Sequence, residues 1–197
     1  MKSMACKISS ALLGGALIAG GLAGTAGAES RNRSLERLLG KGGYSADEGK
    51  RIQRSFGVAL QAGLGERDAL YLVETCIEGR FETAQTLRIL SVAAQLALAG
   101  LPVDGYAAKV NEGVSKRVPP DRVVQAAERR GLALNNAKSL LNTMVLEGFS
   151  ASDRDELLPG LAAALEAGRT PEEAQAILTE ALREGERPGA IRRKLFP

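Results

Sequence analysis

The chain contains no histidine, no tryptophan, two cysteines and seven aromatic residues, three Tyr and four Phe, among 197 positions. Without imidazole there is no Ser-His-Asp or Cys-His nucleophilic centre and none of the usual imidazole zinc sites. Cys6 and Cys76 cannot supply a four-thiolate cluster. So few rings leave little for stacking sugars or unpaired bases. No Gly-rich loop followed by Lys-Ser/Thr is available to cradle a phosphate. Acid pairs such as Asp153/Asp155 and Glu172/Glu173 stand at helix starts, where carboxylates are favoured electrostatically. The expectation is a non-catalytic protein that needs no cofactor and no metal.

Net charge is also scarce. There are 26 Lys+Arg against 23 Asp+Glu, a formal balance of +3 with a pI near 9.0. Lys2 and Lys7 are the only charges in the first 28 residues, so the remaining 169 carry 24 cations against 23 acids, a balance of +1. A nucleic-acid partner inferred from the pI therefore loses its basis.

Residues 1–28 read as a short basic region, an uncharged stretch from Ile8 to Ala28, and Ala26-Gly27-Ala28 before Glu29. This is the pattern of a secretory signal peptide cleaved after Ala28, which predicts a periplasmic or secreted protein with one domain over 29–197. The competing reading is a retained anchor, since 21 uncharged residues can span a bilayer and Ala16, Gly20 and Gly24 recur every four residues. The six glycines in the segment favour cleavage. Cys6 lacks the Leu-x-Gly/Ala sequence that precedes a lipoprotein cysteine. Cys76 falls with Ala69, Leu72, Val73 and Ile77 on one apolar helical face, so the expectation is a buried, unreactive thiol.

An internal repeat organises the rest. Gly43-Tyr44-Ser45-Ala46 is followed twenty residues after its Gly by Gly63, and Gly148-Phe149-Ser150-Ala151 at the same distance by Gly168. Ala97-Leu98-Ala99-Gly100 and a degenerate Arg129-Arg130-Gly131 lie between. Glu78-Gly79, Glu112-Gly113, Glu147-Gly148 and Glu184-Gly185 recur at spacings of 34, 35 and 37 residues. Glycine after an apolar periodic run favours a left-handed helix stop, so the Glu-Gly glycines are read as closing the partner helix of each unit. Ser45, Ser150 and Thr170 each begin a capping box, and Pro171 occupies a first helical position. Pro119 and Pro120 break one run and start the next helix.

No segment alternates as a strand does. The spacing predicts helices over about 34–40, 46–62, 66–78, 82–99, 103–113, 120–130, 133–147, 152–167, 171–184 and 188–195. Single hairpins of this length cannot bury their own stripes, so the predicted fold is all-α. Stacked helical hairpins with a repeat of about 34–37 residues would form a short α-solenoid or a compact bundle.

Gly100-Leu101-Pro102, continuing through Lys109, Glu112-Gly113, Lys116 and Val118-Pro119-Pro120-Asp121-Arg122-Val123-Val124, resembles a segment of uncharacterised exported bacterial helical proteins. The unit length is similar to tetratricopeptide-like helical-hairpin repeats, whose Trp, Gly and Tyr signature positions are absent.

Glu78, Glu112, Glu147 and Glu184 are the recurrent ionisable positions. A carboxylate at a helix C-terminus opposes the macrodipole by roughly 0.3–1 kcal/mol. Each is therefore expected to bond the next helix start or to pair with Arg80, Lys116 or Arg187. A ladder binding a cation or basic partner is the functional alternative. Arg187, Arg192, Arg193 and Lys194, with Ile191, Leu195 and Phe196, form the one concentrated basic patch. It suits a partner groove or a membrane surface, or else a final capping helix whose cations face water. The functional expectation is a protein-protein interaction or scaffold module of the cell envelope; the alternative is a membrane- or lipid-associated protein using this helix or an uncleaved leader.

Overall fold

A computed structural model describes residues 33–196. The predicted leader, with Cys6, lies outside the described residues. Within them the chain forms α1 over 33–41, then α2 Ala46–Gln61, α3 Glu66–Glu78, α4 Thr83–Leu98, α5 Asp104–Ser115, α6 Pro120–Glu147, α7 Ala151–Glu166, α8 Pro171–Glu184 and α9 Pro188–Leu195. No strand occurs among the described residues. The protein is all-α, as the periodicity predicts.

Local chemistry sets the helix starts. Ser45, Ser150 and Thr170 each accept the N–H of the third helical residue, and Glu48, Asp153 and Glu173 reach back to the cap, completing reciprocal boxes. Pro120 and Pro171 occupy first-turn positions where no amide proton is needed.

The ends are closed by one recurring backbone device. The N–H of Leu64, Phe81, Leu101, Val118, Phe149, Arg169 and Glu186 each donates to the carbonyl five residues earlier, at 2.9–3.1 Å. The residue before each has positive φ: Gly63, Arg80, Gly100, Arg117, Gly148, Gly168 and Gly185. This is the Schellman closure, which satisfies carbonyls that a helix end leaves orphaned. With Gly43, successive positive-φ residues are 20, 17, 20, 17, 31, 20 and 17 positions apart. One long and one short helix thus recur every 37 residues, with a single interruption between Arg117 and Gly148.

That interruption corrects two sequence expectations. The helices expected over 120–130 and 133–147 are one 28-residue helix, α6, running through Gly131. Gly131 is no stop: a Cβ there would stand 2.4 Å from Val92 Cγ1, so its missing side chain lets α4 and α6 approach. The Glu-Gly pairs also divide into two kinds. Gly148 and Gly185 are positive-φ closures. Gly79 is a right-handed cap and Gly113 lies inside α5, and the left-handed residues there are Arg80 and Arg117. Gly79 and Gly113 make room instead for Phe81 and Val114, and for Val123, each of which would lie 2.8 Å or less from an added Cβ.

From α2 onward, every substantial helix-helix contact joins elements one or two places apart. α2 packs on α4, α4 on α6 and α6 on α8, and α3 packs on α5 and α7 on α9. Consecutive contacts, above all α5–α6 and α6–α7, join the two rows. No substantial contact joins α2 or α3 to α8 or α9. One apolar cluster runs through it from Leu35 and Leu39 on α1 to Ile191 and Leu195 on α9. Fully burying each Leu or Ile contributes roughly 1.5–3 kcal/mol. The plug residues Leu64, Phe81, Leu101 and Phe149 belong to this core, which couples turn closure to packing.

Two substitutions test these assignments. Gly131→Ala raises helix propensity by about 1 kcal/mol, yet overpacking against Val92 should lower stability by roughly 1–3 kcal/mol in urea denaturation, and adding Val92→Ala should recover most of the loss. Arg80→Gly and Arg117→Gly each remove a left-handed non-glycine residue that costs roughly 1–2 kcal/mol, so each should raise the melting temperature.

Candidate functional site

The predicted basic patch lies on α9 and its cap. Ile191 and Leu195 are buried, docking the helix. Arg192 pairs with Glu156 on α7. Lys194 Nζ lies 3.1 Å from Glu184 and 3.0 Å from Glu186, and these carboxylates push its pKa up. At the last two helix closures the plug position is polar, and both side chains clamp α9. Arg169 Nε donates to the Leu195 carbonyl at 3.0 Å, and Glu186 holds Lys194. Arg187 and Arg193 stay exposed and carry no ion pair among the described residues. Half of the patch is therefore engaged in holding its own helix.

The recurrent acids are not brought together. Glu112 pairs with Lys116, four residues on in the same stretch, and lies 3.7 Å from Lys109. The Lys116 hydrogen bond chiefly holds its carboxyl below the usual range. Glu184 pairs with Lys194 rather than Arg187. Glu78 and Glu147 are exposed without an ion pair among the described residues. Among the described residues the backbone amides that donate to side-chain carboxylates or amides at helix starts reach Glu48, Gln85, Asp153 and Glu173, not these four acids. No group of three potential metal-binding side chains gathers among the described residues, and no described helix is long and apolar enough to cross a membrane.

Polar contacts instead tie helices two places apart, or adjacent ones, at similar sequence separations. Thr83 Oγ1 donates to Glu48 at 2.9 Å, Gln85 Nε2 to Asp121 at 2.7 Å, and Arg88 to both Glu128 oxygens at 2.7 and 2.6 Å. Arg130 lies 3.2 Å and Lys109 3.9 Å from Glu166, joining α5, α6 and α7 in a partly buried knot. Lys138 donates to the Ala99 carbonyl at the end of α4, where a cation suits the dipole.

Two potentially reactive groups are buried. Cys76 is fully buried, and desolvation pushes its thiol up to about 12. Burial likewise raises the Tyr106 phenol, whose hydroxyl donates to the Ile89 carbonyl at 3.0 Å. Tyr44 donates to the Phe81 carbonyl at 2.9 Å.

One surface was missed by the sequence reading. Between α4 and α6 runs a groove of about 410 Å³ bounded by Ser91, Gln95, Leu132 and Asn135. A second depression of about 230 Å³ lies beyond Leu132, against Arg129, Asn136, Leu165 and Arg169. Leu132 stands between them, 63% exposed in the middle of a helix. The signal was available: Val124, Ala127, Gly131, Leu134, Leu141 and Met144 form one buried stripe that crosses the glycine without losing phase.

These features define an all-α chain of stacked helices closed by a common turn, with two grooves beside Leu132. Comparison with protein-family models, curated proteins and solved structures yields no match in any of the three.

The carboxylate with the most hydrogen bonds here is Glu48, which accepts from Ser45 N at 2.9 Å and Oγ at 2.7 Å as well as from Thr83. These bonds, the Ser45 hydroxyl foremost, lower its pKa from 4.5. A lowered carboxylate contributes stability that is present above its unfolded pKa and lost as pH falls. Glu48→Gln should therefore be less stable than the parent at pH 7, with the gap narrowing towards pH 3 in urea titrations.

Proposed function

We propose that this chain is a non-catalytic, exported helical-repeat protein that acts as a protein-protein interaction or scaffold module in the cell envelope. The observation that carries the reading is the layered stack: from α2 onward each helix packs on elements one or two places away. Architectures of this kind present extended surfaces to partners, and the warrant is that architectural analogy. The signal-peptide pattern of residues 1–28 supports export. A second reading, association with an anionic membrane through α9, draws on Phe196, 47% exposed beside the unpaired Arg193. Against it, Arg192 and Lys194 are paired, and Ile191 and Leu195 face the core.

Crosslinking in intact cells should trap the protein with a defined protein partner. The exported form should have an intact mass beginning at Glu29 and should remain unbound in flotation with anionic phospholipid vesicles. Flotation abolished by Arg193→Glu, with no protein adduct in cells, would transfer the function to the membrane reading.

A further inference from the structure

We propose that the grooves on either side of Leu132 bind an extended segment of a partner protein that carries an apolar residue flanked by acidic ones. The inference rests on the protein-interaction reading and specifies its surface.

Three independent features converge there. The first is apolar. A leucine 63% exposed at the middle of a 28-residue helix gives up little of its surface to the fold, and depressions on both sides can receive side chains. On α4, three residues after Gln95, Leu98 is 77% exposed.

The second is hydrogen-bonding capacity. Gln95, Asn135 and Asn136 line the two depressions, and of their amides only Asn135 is committed, donating to the Gly131 carbonyl at 3.1 Å. An amide side chain offers both donor and acceptor, which matches the exposed N–H and C=O groups of an extended chain. A helix would arrive with its backbone already satisfied and would leave these amides unused.

The third is charge. Both carboxylates that line the grooves are already compensated, Glu128 by Arg88 and Glu166 by Arg130 and Lys109. Arg129 and Arg169 have no carboxylate partner among the described residues, and the one side-chain bond of Arg169 goes to the Leu195 carbonyl. The surface is thus positive where it is uncompensated. A basic segment would meet two guanidiniums that no carboxylate among the described residues offsets, while an acidic one gains charge-assisted bonds.

The experiment is selection of a random 12-residue peptide library on the purified full-length protein, followed by affinity measurement on variants. Recovered peptides should share an apolar residue flanked by Asp or Glu. Leu132→Asp and Arg129→Glu should each weaken their binding at least tenfold, about 1.4 kcal/mol. Tyr71→Asp, a control at an exposed position on α3, should leave it unchanged. Both tested side chains project from the helix surface, so helicity and melting temperature should match the parent. If Leu132→Asp alone lowers the melting temperature, Arg129→Glu decides.

Peptides that resist both substitutions but are lost with Tyr71→Asp would overturn the groove and leave the protein-interaction reading intact. Basic consensus sequences, or no enriched peptide, would also overturn it. The wider reading fails only if no protein partner is crosslinked in cells.

Discussion

The rest of the structure depends on a backbone closure in which a positive-φ residue lets the next N–H return to a carbonyl five residues earlier. It does three things at once. It satisfies the orphaned end of a helix, reverses the chain within a few residues, and turns the following side chain inward as a plug. Leu64, Phe81, Leu101 and Phe149 are therefore turn residues and core residues together. Because the closure recurs 37 residues apart on either side of one interruption, corresponding helix faces return to the same depth in the stack. This explains why Thr83 meets Glu48 and Asp121 meets Gln85 at separations of 35 and 36 residues.

Where the closure is missing, α6 runs through and the stack changes character. A helix twice the usual length must lie against α4, α5, α7 and α8. Gly131 permits the close approach to α4, and the Arg130–Glu166–Lys109 knot joins α6 to α5 and α7. The partly buried position of that knot makes it more consequential than the exposed Arg88–Glu128 pair, whose kind contributes about 0–1 kcal/mol. The same long helix carries Leu132 out between two depressions.

The C-terminal end obeys the same turn chemistry with a different side chain in the plug position. Arg169 and Glu186 replace apolar plugs, and each reaches α9. α9 is held by two apolar residues and a set of polar clamps, so the cations that look free in the linear order are partly consumed by the fold.

The division between sequence and structure follows from the range of the forces involved. Helical type, the capping boxes at Ser45, Ser150 and Thr170, the start at Pro120 and the buried face of Cys76 are local consequences of periodicity and short-range hydrogen bonding. All were legible in residue order. Gly131 was not, because a glycine after an apolar run reads as a stop unless one knows that Val92, 39 positions earlier, occupies the space its side chain would fill. Gly79 and Gly113 misled for the same reason: their neighbours across the interface, not their own backbone, require the missing Cβ. The partners of Glu184, Arg192 and Arg169, and the exposure of Leu132, likewise depend on contacts between helices distant in sequence. The sequence by itself determined that the chain is helical and where most helices start and end; only tertiary packing decided which glycines are turns, which charges are spent, and which surface stays open.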